Sequence, residues 1–491
     1  MTGFVEAARR EKLKELIERG VAPFAYRFER TATAKQALAA YRDDHDETPY
    51  ALAGRLVALR PHGKTTFAHL EDATGKIQLY FKGDELGPDR YGLLELLDLG
   101  DHIGVDGRLM KTRTGEITLR VGQVTLLAKA LRPLPLGKED ASGVKHGELS
   151  DPELRYRQRY ADLAVHPEVR ELFRLRTRIV QGIRSFLDSK GYLEVETPAL
   201  QPLYGGAAAV PFKTHYEALD TTFYLRIADE LYLKRCLVGG LEKVYEIGHD
   251  FRNEGLSRFH NPEFTMAEWY EAYADYNDMA ALTEEMLAKL VVDLFGGSIL
   301  ERHGATLSFE RPFARKDYYG LVREHAGVDL TNVKDAELRA ILKRHNSPDA
   351  ETLSGPKLVD EVFKTCVEPK LVQPTFVIDY PLALSPLAKP KRGDPTKVER
   401  WELFVQHREL ANAFSELNDP DEQRRRFEQQ AAFRAAGDRE AQQLDEDYLR
   451  ALEYGMPPAG GVGLGVDRLT MILADQTNIR DVNLFPMLRP E

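Results

Sequence analysis

Only two cysteines occur in 491 residues, Cys236 and Cys366, far apart and without a CxxC partner. That excludes a disulfide framework and a cysteine-based zinc site, and both read most simply as core thiols. The opening "MTGFVEAARREKLKELIERG" has no apolar h-region, and no apolar run approaches a membrane span. A cytoplasmic protein without membrane contact is the expectation. No G-x-x-x-x-G-K-[ST] phosphate loop exists, and Gly461, Gly463 and Gly465 are spaced G-x-G-x-G, which is not the dinucleotide fingerprint. No Ser-His or Cys-His arrangement, solenoid repeat or low-complexity tract stands out. An excess of positive charge is missing too: the net charge is −11. A protein that coats DNA through bulk electrostatics is therefore disfavoured. Residues 1–130 hold 20 Lys and Arg against 19 Asp and Glu, a balance of +1, which leaves −12 for the rest. Any nucleic-acid contact must use local basic patches, most plausibly in the first part.

What is present describes an ordinary globular chain of two to four domains, 43% hydrophobic and 30% charged. Residues 5–20 predict an amphipathic helix with Leu13, Leu16 and Ile17 on one stripe, within an N-terminal helical extension over 1–48. From Tyr50 the period becomes two. Five β-rich runs, with "DRYGLLELLDLG" after the third, predict a small β-barrel over 49–131, either of the OB type or of another small-barrel type. "LRPLPLGKEDASGVKHGELSDPELRYRQRY" then interrupts all periodicity and marks a linker at 132–150. A second domain over 151–491 opens with a long helix, in which Phe173, Ile179, Ile183 and Phe186 share one side and Gly191 ends it. Strands and helices follow, with helical insertions at about 278–370 and 420–450. The fold class is α+β.

Three stretches carry candidate chemistry. "EKVYEIGHDFRNE" reads as a strand with Arg252 and Glu254 on one face, and His249 among apolar residues as a core histidine. The return strand "PEFTMAEWYEAY" puts Phe264, Met266, Glu268 and Tyr270 on one face. The charged loop between them, "FRNEGLSRFHNPEFT", reads equally as a salt-bridged surface hairpin or as an anion site. In "RWELFVQHRELANAFSELND" a turn near Gln406 sets Glu402 and Glu409 roughly opposite one another. Like charges there require a cation: either a divalent ion on oxygen ligands, or Arg400 and Arg408. Asn412, Phe414 and Glu416 alternate onto one face, and Ala411, Ala413 and Ser415 onto the other. "GGVGLGVDRLTMILAD" is a glycine-rich strand entering an apolar helix, over which a flat ligand fits closely. Arg468 near the helix start offers a guanidinium to phosphate.

"GYLEVETPAL", "FRNEGLSRFHNPEFT" and "GVGLGVDRL" resemble motifs 1, 2 and 3 of class II aminoacyl-tRNA synthetases, in order and spacing. With the OB-type barrel they resemble the subgroup charging lysine, aspartate and asparagine, and "GGAAAVPF", "ELYLKR", "FSELND" and "SPLAK" resemble its lysine branch. The likeness spans roughly residues 5–489. It implies a catalytic domain built on an antiparallel sheet flanked by helices. It also implies an enzyme that joins L-lysine to tRNA(Lys) with ATP and Mg²⁺, releasing AMP and pyrophosphate.

By the same resemblance, Arg252 bridges the substrate carboxylate and the α-phosphate, and Glu254 holds the adenine amino group or a metal-bound water. His260 and Asn261 meet the outer phosphates, Phe264 stacks on adenine, and Arg468 covers its other face and the γ-phosphate beside Gly465. Glu402 and Glu409 hold Mg²⁺. Lysine is received by Gly206, Glu230, Glu268, Tyr270, Asn412, Phe414, Glu416 and Gly463. A buried ammonium needs such anionic or hydroxyl partners, whereas an aspartate site would need a cation at the pocket's end. The family pattern has glycines where this chain has Ala411 and Ala413. In the barrel, Phe67 and Gln78, with Arg55 and Glu116 beside them, resemble anticodon-reading positions. From pattern alone Phe67 reads equally as barrel core. The helix at about 167–190 resembles a homodimer interface, and without the family reads equally as internal core. An aspartyl- or asparaginyl-type enzyme and a catalytically silent tRNA-binding paralogue are the rival readings.

Overall fold

The alternation after Tyr50 becomes five strands: β1 (Pro49–His62), β2 (Thr65–Asp72), β3 (Gly75–Lys82), β4 (His102–Lys111) and β5 (Ile117–Ala128). The computed structural model describes residues 2–42, 47–139, 145–348, 350–435, 437 and 440–490. The strands close into a barrel of order β1-β2-β3-β5-β4, in which only β3 and β5 run parallel. One side chain in two points inward: Leu52, Leu56, Ala68, Leu70, Leu79, Phe81, Ile103, Val105 and Leu119 are all at most 1% exposed. Closure of this kind removes the unpaired strand edges that would otherwise invite aggregation.

Helix α1 (Thr2–Glu18) adds Leu16 to the barrel core, as does α2 (Ala34–Ala40) with Ala34 and Ala37. Ile17, expected on the same stripe as Leu16, is instead exposed. Helix α3 (Pro88–Leu96) follows the third strand, starts on Pro88 and buries Leu93, Leu94 and Leu96. The chain divides into two compact units: residues 1–151 with 160–165, and residues 152–159 with 166–491. Within the expected linker, Leu136–Glu139 pairs with Lys145–Glu148; residues 140–144 of that linker lie outside the described residues.

After a short helix at Pro152–Arg157, the second unit continues with α4 (Pro167–Ser189), whose Ile179, Ile183 and Phe186 are buried at helical spacing. The helix after the next short strand, β6 (Leu193–Glu194), is α5 (Glu230–Val238). The hairpin β7 (Lys243–Phe251) and β8 (Glu263–Ala272) leads into α6 (Tyr276–Phe295). Strand β9 (Ala314–Asp317), helices α7 (Tyr318–Ala326), α8 (Asp335–Arg344) and α9 (Pro356–Cys366), and β10 (Thr375–Ile378) come next. The hairpin β11 (Arg400–Val405) and β12 (Arg408–Ser415) is followed by α10 (Pro420–Ala435) and α11 (Glu446–Glu453). Strand β13 (Ala459–Gly465) and α12 (Val466–Leu473) complete the order.

The eight strands form one sheet, β9-β10-β11-β12-β13-β8-β7-β6. Its interior is antiparallel, as expected, but each edge strand joins in parallel. One face packs Trp269, Trp401, Ala411, Ala413, Val462 and Leu464 against apolar residues of α4, α6 and α12. Ala411 and Ala413 thus lie in the core behind the sheet rather than on the side that carries Asn412 and Phe414. Arg176 of α4 meets the buried Asp467 at 2.5 Å, and Asp467 accepts the Thr265 N–H, so α12 is fixed against both α4 and β8. The opposite face is where the charged side chains gather. No described helix is long and apolar enough to cross a membrane.

Candidate active site

Strand register converts distant sequence stretches into neighbouring rungs. One rung across the sheet reads Glu402, Asn412, Gly463, Glu268, Glu246. The next reads Arg400, Phe414, Gly461, Tyr270, Val244. Because side chains alternate between faces, the members of these rungs share a face, and the glycines of β13 leave a trough between β12 and β8. Gly461 is obligatory there: a Cβ would stand 2.2 Å from Tyr270 Cε1 and 2.3 Å from Glu416 Oε1.

The trough is lined by acid. Glu416 is fully buried, as is Lys234 of α5, whose Nζ lies 2.5 Å from Glu416 Oε2 and 2.5 Å from Glu230 Oε1. Glu268 accepts the Tyr270 hydroxyl at 3.2 Å. Burial, followed by the charges of Asp250 and Glu230, pushes Glu268 well above the usual carboxylate range. Burial likewise raises Glu230. Burial and the Glu230 charge hold Glu416 up at about 8 against the pull of Lys234. For Lys234 burial acts in the opposite sense and alone would lower it, but Glu230 and Glu416 outweigh that and push it up as well. Gly206, at φ +88°, packs where a Cβ would come within 3.1 Å of Glu230 Cβ. All the residues expected around an amino acid therefore converge, with Arg252 beside them.

Arg252 and Glu254 do not extend the strand as expected. β7 ends at Phe251, and both lie in the loop beyond it, where Glu254 is exposed. Arg252 is held by its backbone N–H on the Pro262 carbonyl, and its Nε donates to the Ile227 carbonyl at 3.3 Å. Its guanidinium lies 5.1 Å from the centre of the Phe264 ring, and its charge reaches Glu268, Glu409 and His260. His260 contacts Ser257 Oγ at 2.9 Å, and burial and then Arg468 lower its pKa. Asn261 donates to the Glu263 carbonyl, leaving its buried Oδ1 without a partner. His249, expected in the core, is exposed and 3.2 Å from Glu263.

Glu402 and Glu409 are not directly opposite. A bulge between Leu403 and Phe404 pairs Glu402 with Asn412 and Glu409 with Phe404. A bulge of this kind re-aims a side chain, and it is what lets Glu409 and Glu402 feel one another. Burial, opposed by Arg400 and reinforced by Glu409, pushes Glu402 up to about 7. Glu402 accepts the Tyr380 hydroxyl at 2.7 Å and pairs with Arg400. Glu409 is held by Arg468 rather than by Arg408, and this pairing with Arg468 and Arg400 lowers it in spite of burial. No cluster of three or more metal-ligating side chains exists among the described residues. Two hard carboxylates fit an ion that completes its shell on phosphate oxygens and water, the usual manner of Mg²⁺.

Arg400, read from sequence only as an ionic partner of the paired glutamates, also reaches Asn412 and Tyr380, and Lys234 and Arg226 were missed. Arg400 donates through Nε to Asn412 Oδ1 at 3.0 Å and lies 4.6 Å from the Tyr380 ring centre. Lys234 stands four residues after Glu230 in "ELYLKR", an i,i+4 pairing that was legible. Behind Arg252, the buried Asp229 and Asp250 share Arg226, whose Nη1 reaches Glu246 at 2.5 Å.

In the barrel, Thr66, Ala68 and Leu70 point inward, so Phe67 belongs to the outer face, 5.0 Å from the Tyr80 ring. Gln78 shares that face; its Nε2 donates to Glu116 Oε2 at 2.6 Å and its Oε1 accepts Thr118 Oγ1. Arg55 sits apart from them, paired with Glu71 two rungs from Phe67, and donates to the Gly100 carbonyl. Tyr80 and His69 complete a polar-aromatic surface that the sequence reading had not singled out.

Residues 151–489 match the family model for class II tRNA synthetases (D, K and N), and residues 50–127 match that for an OB-fold nucleic acid binding domain. Relatives named lysine–tRNA ligase are 53% identical in Carboxydothermus hydrogenoformans, over 98% of this chain and 97% of the relative. One in Moorella thermoacetica is 52% identical over 99% and 98%, and one in Pelotomaculum thermopropionicum is 51% identical over 98% and 94%. With a family model over the whole second unit and half-identity end to end, the chain belongs to the lysine–tRNA ligase family of class II tRNA synthetases.

Proposed function

We propose that this chain activates L-lysine with ATP to lysyl-adenylate and pyrophosphate, then transfers the lysyl group to the 3′ end of tRNA(Lys), releasing AMP. The observation that carries the reading is the fully buried Glu416 at the end of an acid-lined trough that begins at Glu230 and Glu268. A dicationic amino acid satisfies such a trough, and an aspartate side chain does not.

In the first step a lysine carboxylate oxygen attacks the α-phosphorus while its bond to the β-phosphate oxygen breaks. Negative charge meets negative charge, so positioning and neutralisation do the work and no side-chain nucleophile is needed. Arg252, fixed at its backbone and at Nε, spans the carboxylate and the α-phosphate. Phe264 offers a ring to adenine, Arg468 a guanidinium to its other face and the γ-phosphate, and His260 and Asn261 contacts to the outer phosphates. Glu254 takes the adenine amino group or a metal-bound water. Glu402 and Glu409 would hold Mg²⁺, which supplies charge neutralisation on the phosphates when bound. Glu230 with Gly206 receives the α-ammonium and Glu416 with Tyr270 the ε-ammonium, while Asn412 and Phe414 line the stem.

The outer barrel face carries the anticodon: Phe67 stacks on a base and Gln78, with Glu116 and Arg55, reads edges. The division into helical extension, barrel, linker and catalytic domain at residues 48, 131 and 150 follows from this assignment. A homodimer through the region of α4, in the cytoplasm, completes it; the exposed Leu193 on the short strand after that helix supports a partner surface.

ATP–pyrophosphate exchange with each amino acid tests the reading. Exchange with lysine alone is expected. Exchange with aspartate or asparagine and none with lysine would end it, and exchange surviving Arg252→Ala would remove the role given to Arg252.

A further inference from the structure

The structure places a second lysine, the chain's own, inside the pocket just described. Lys234 is fully buried, and its Nζ touches Glu230 Oε1 and Glu416 Oε2 at 2.5 Å each. Those two oxygens therefore lie within about 5 Å of one another, although they come from α5 and from just beyond β12. Neither Glu416 oxygen has a hydrogen-bond partner among the described residues: Oε2 has the Lys234 ion pair, whereas Oε1 is buried and faces the Gly461 backbone beside Tyr270. A buried carboxylate oxygen left without a donor is costly unless a ligand supplies one.

We infer that Lys234 is a specificity-determining positioning residue that sets the length of amino acid the pocket accepts. The inference rests on the lysine reading above and deepens it. By clamping one oxygen of each carboxylate, Lys234 fixes the spacing between the two points that receive the α- and ε-ammonium groups, and turns Glu416 Oε1 toward the trough. It also sets the charge. With Glu230, Glu268 and Glu416 ionised, the state that two bound ammonium groups favour, one cation among them leaves two negative charges for the two ammonium groups of lysine. Without it a third carboxylate would lack a partner. A shorter diamine such as ornithine reaches one point and leaves the other unpaired, and an unpaired buried ion discriminates strongly.

The test is lysine- and ornithine-dependent ATP–pyrophosphate exchange with the full-length chain, unaltered and as Lys234→Met, with melting curves as a check on folding. In the variant the KM for lysine rises at least 30-fold, kcat stays within fivefold and the KM for ATP within threefold. The preference for lysine over ornithine in kcat/KM falls at least tenfold. Lys234→Gln, which keeps an N–H donor without the charge, shows the same loss. A variant that melts like the parent and keeps its lysine KM within threefold overturns the inference, as does one that loses kcat alone. Should neither variant fold, inhibition of the unaltered enzyme by α,ω-diaminoalkanes decides. The five-carbon diamine is expected to inhibit at least fivefold better than the four- and six-carbon ones, and a flat series overturns the inference. A parent that exchanges with another amino acid but not with lysine strikes the underlying reading instead, and is distinguishable from these outcomes.

Discussion

Arg468 Nη1 donates at once to the backbone carbonyl of Glu409, at 2.8 Å, and to its carboxylate Oε2, at 3.2 Å. Arg468, in the first turn of α12, and Glu409, beside the β-bulge, are thereby held as one unit. A guanidinium committed in this way is pre-aimed and still keeps free N–H groups for phosphate. Arg468→Ala should lower kcat/KM for exchange by about 10³, the scale on which charge-stabilising donors act. Arg468→Lys should recover less than a tenth of that, because an ammonium cannot make the forked contact.

Removing the anionic end of the trough should separate the two substrates. Glu416→Gln is expected to lower kcat/KM for lysine by about 10³ in pyrophosphate exchange, since the ε-ammonium loses a buried ionic partner. The KM for ATP should stay within threefold, because the Glu416 carboxylate lies beside Gly461 and Tyr270 rather than beside Arg468.

The pH dependence has a definite sign. Glu416 stands at about 8, raised by burial first. The ε-ammonium binds its ionised form, so affinity is complete only above about pH 9, is halved near pH 8 and declines further as pH falls. The KM for lysine should rise about 25-fold between pH 8.5 and 6.5. Exchange measured with Glu416→Gln should show none of that slope.

Gly461→Ala offers a steric test of the same pocket. The added methyl has no room beside Tyr270 and Glu416, each under 2.5 Å from it. Overpacking of this kind costs about 1–3 kcal/mol, and a lower melting temperature together with a lysine KM raised at least 30-fold is expected.

Phe67→Ala should act on the other half of the reaction. Stacking of a base on an aromatic ring contributes about 1–3 kcal/mol, so kcat/KM for tRNA in aminoacylation should fall roughly 10- to 100-fold. Lysine-dependent exchange without tRNA should be unchanged.

How much of this was legible follows from which interactions are local. Alternation in "PEFTMAEWYEAY" and "ELANAFSELND" is a nearest-neighbour signal, so Glu268, Tyr270, Asn412, Phe414 and Glu416 could be assigned to faces before any fold was known. The bulge at Leu403 and Phe404 could not, because nothing in "RWELFVQHREL" marks where the extra residue falls. Glu409 was consequently given to Arg408 as its alternative ionic partner instead of to Arg468. His249 failed for a related reason: periodicity says which face a residue is on, not whether anything packs on that face at the strand's free end. Lys234 and Glu416 meet only through the fold, so the clamp they form had no sequence signal beyond the pairing with Glu230.

The sheet order has one further consequence. Strands β8 and β13 are hydrogen-bonded neighbours, yet the chain between Ala272 and Ala459 leaves and rejoins the sheet only at strand ends. Residues gained or lost in those excursions, for instance between Ala326 and Asp335, shift no rung. Homologous chains of unequal length can therefore keep one chemistry, and evolutionary remodelling of the periphery is uncoupled from the alignment of the catalytic rungs.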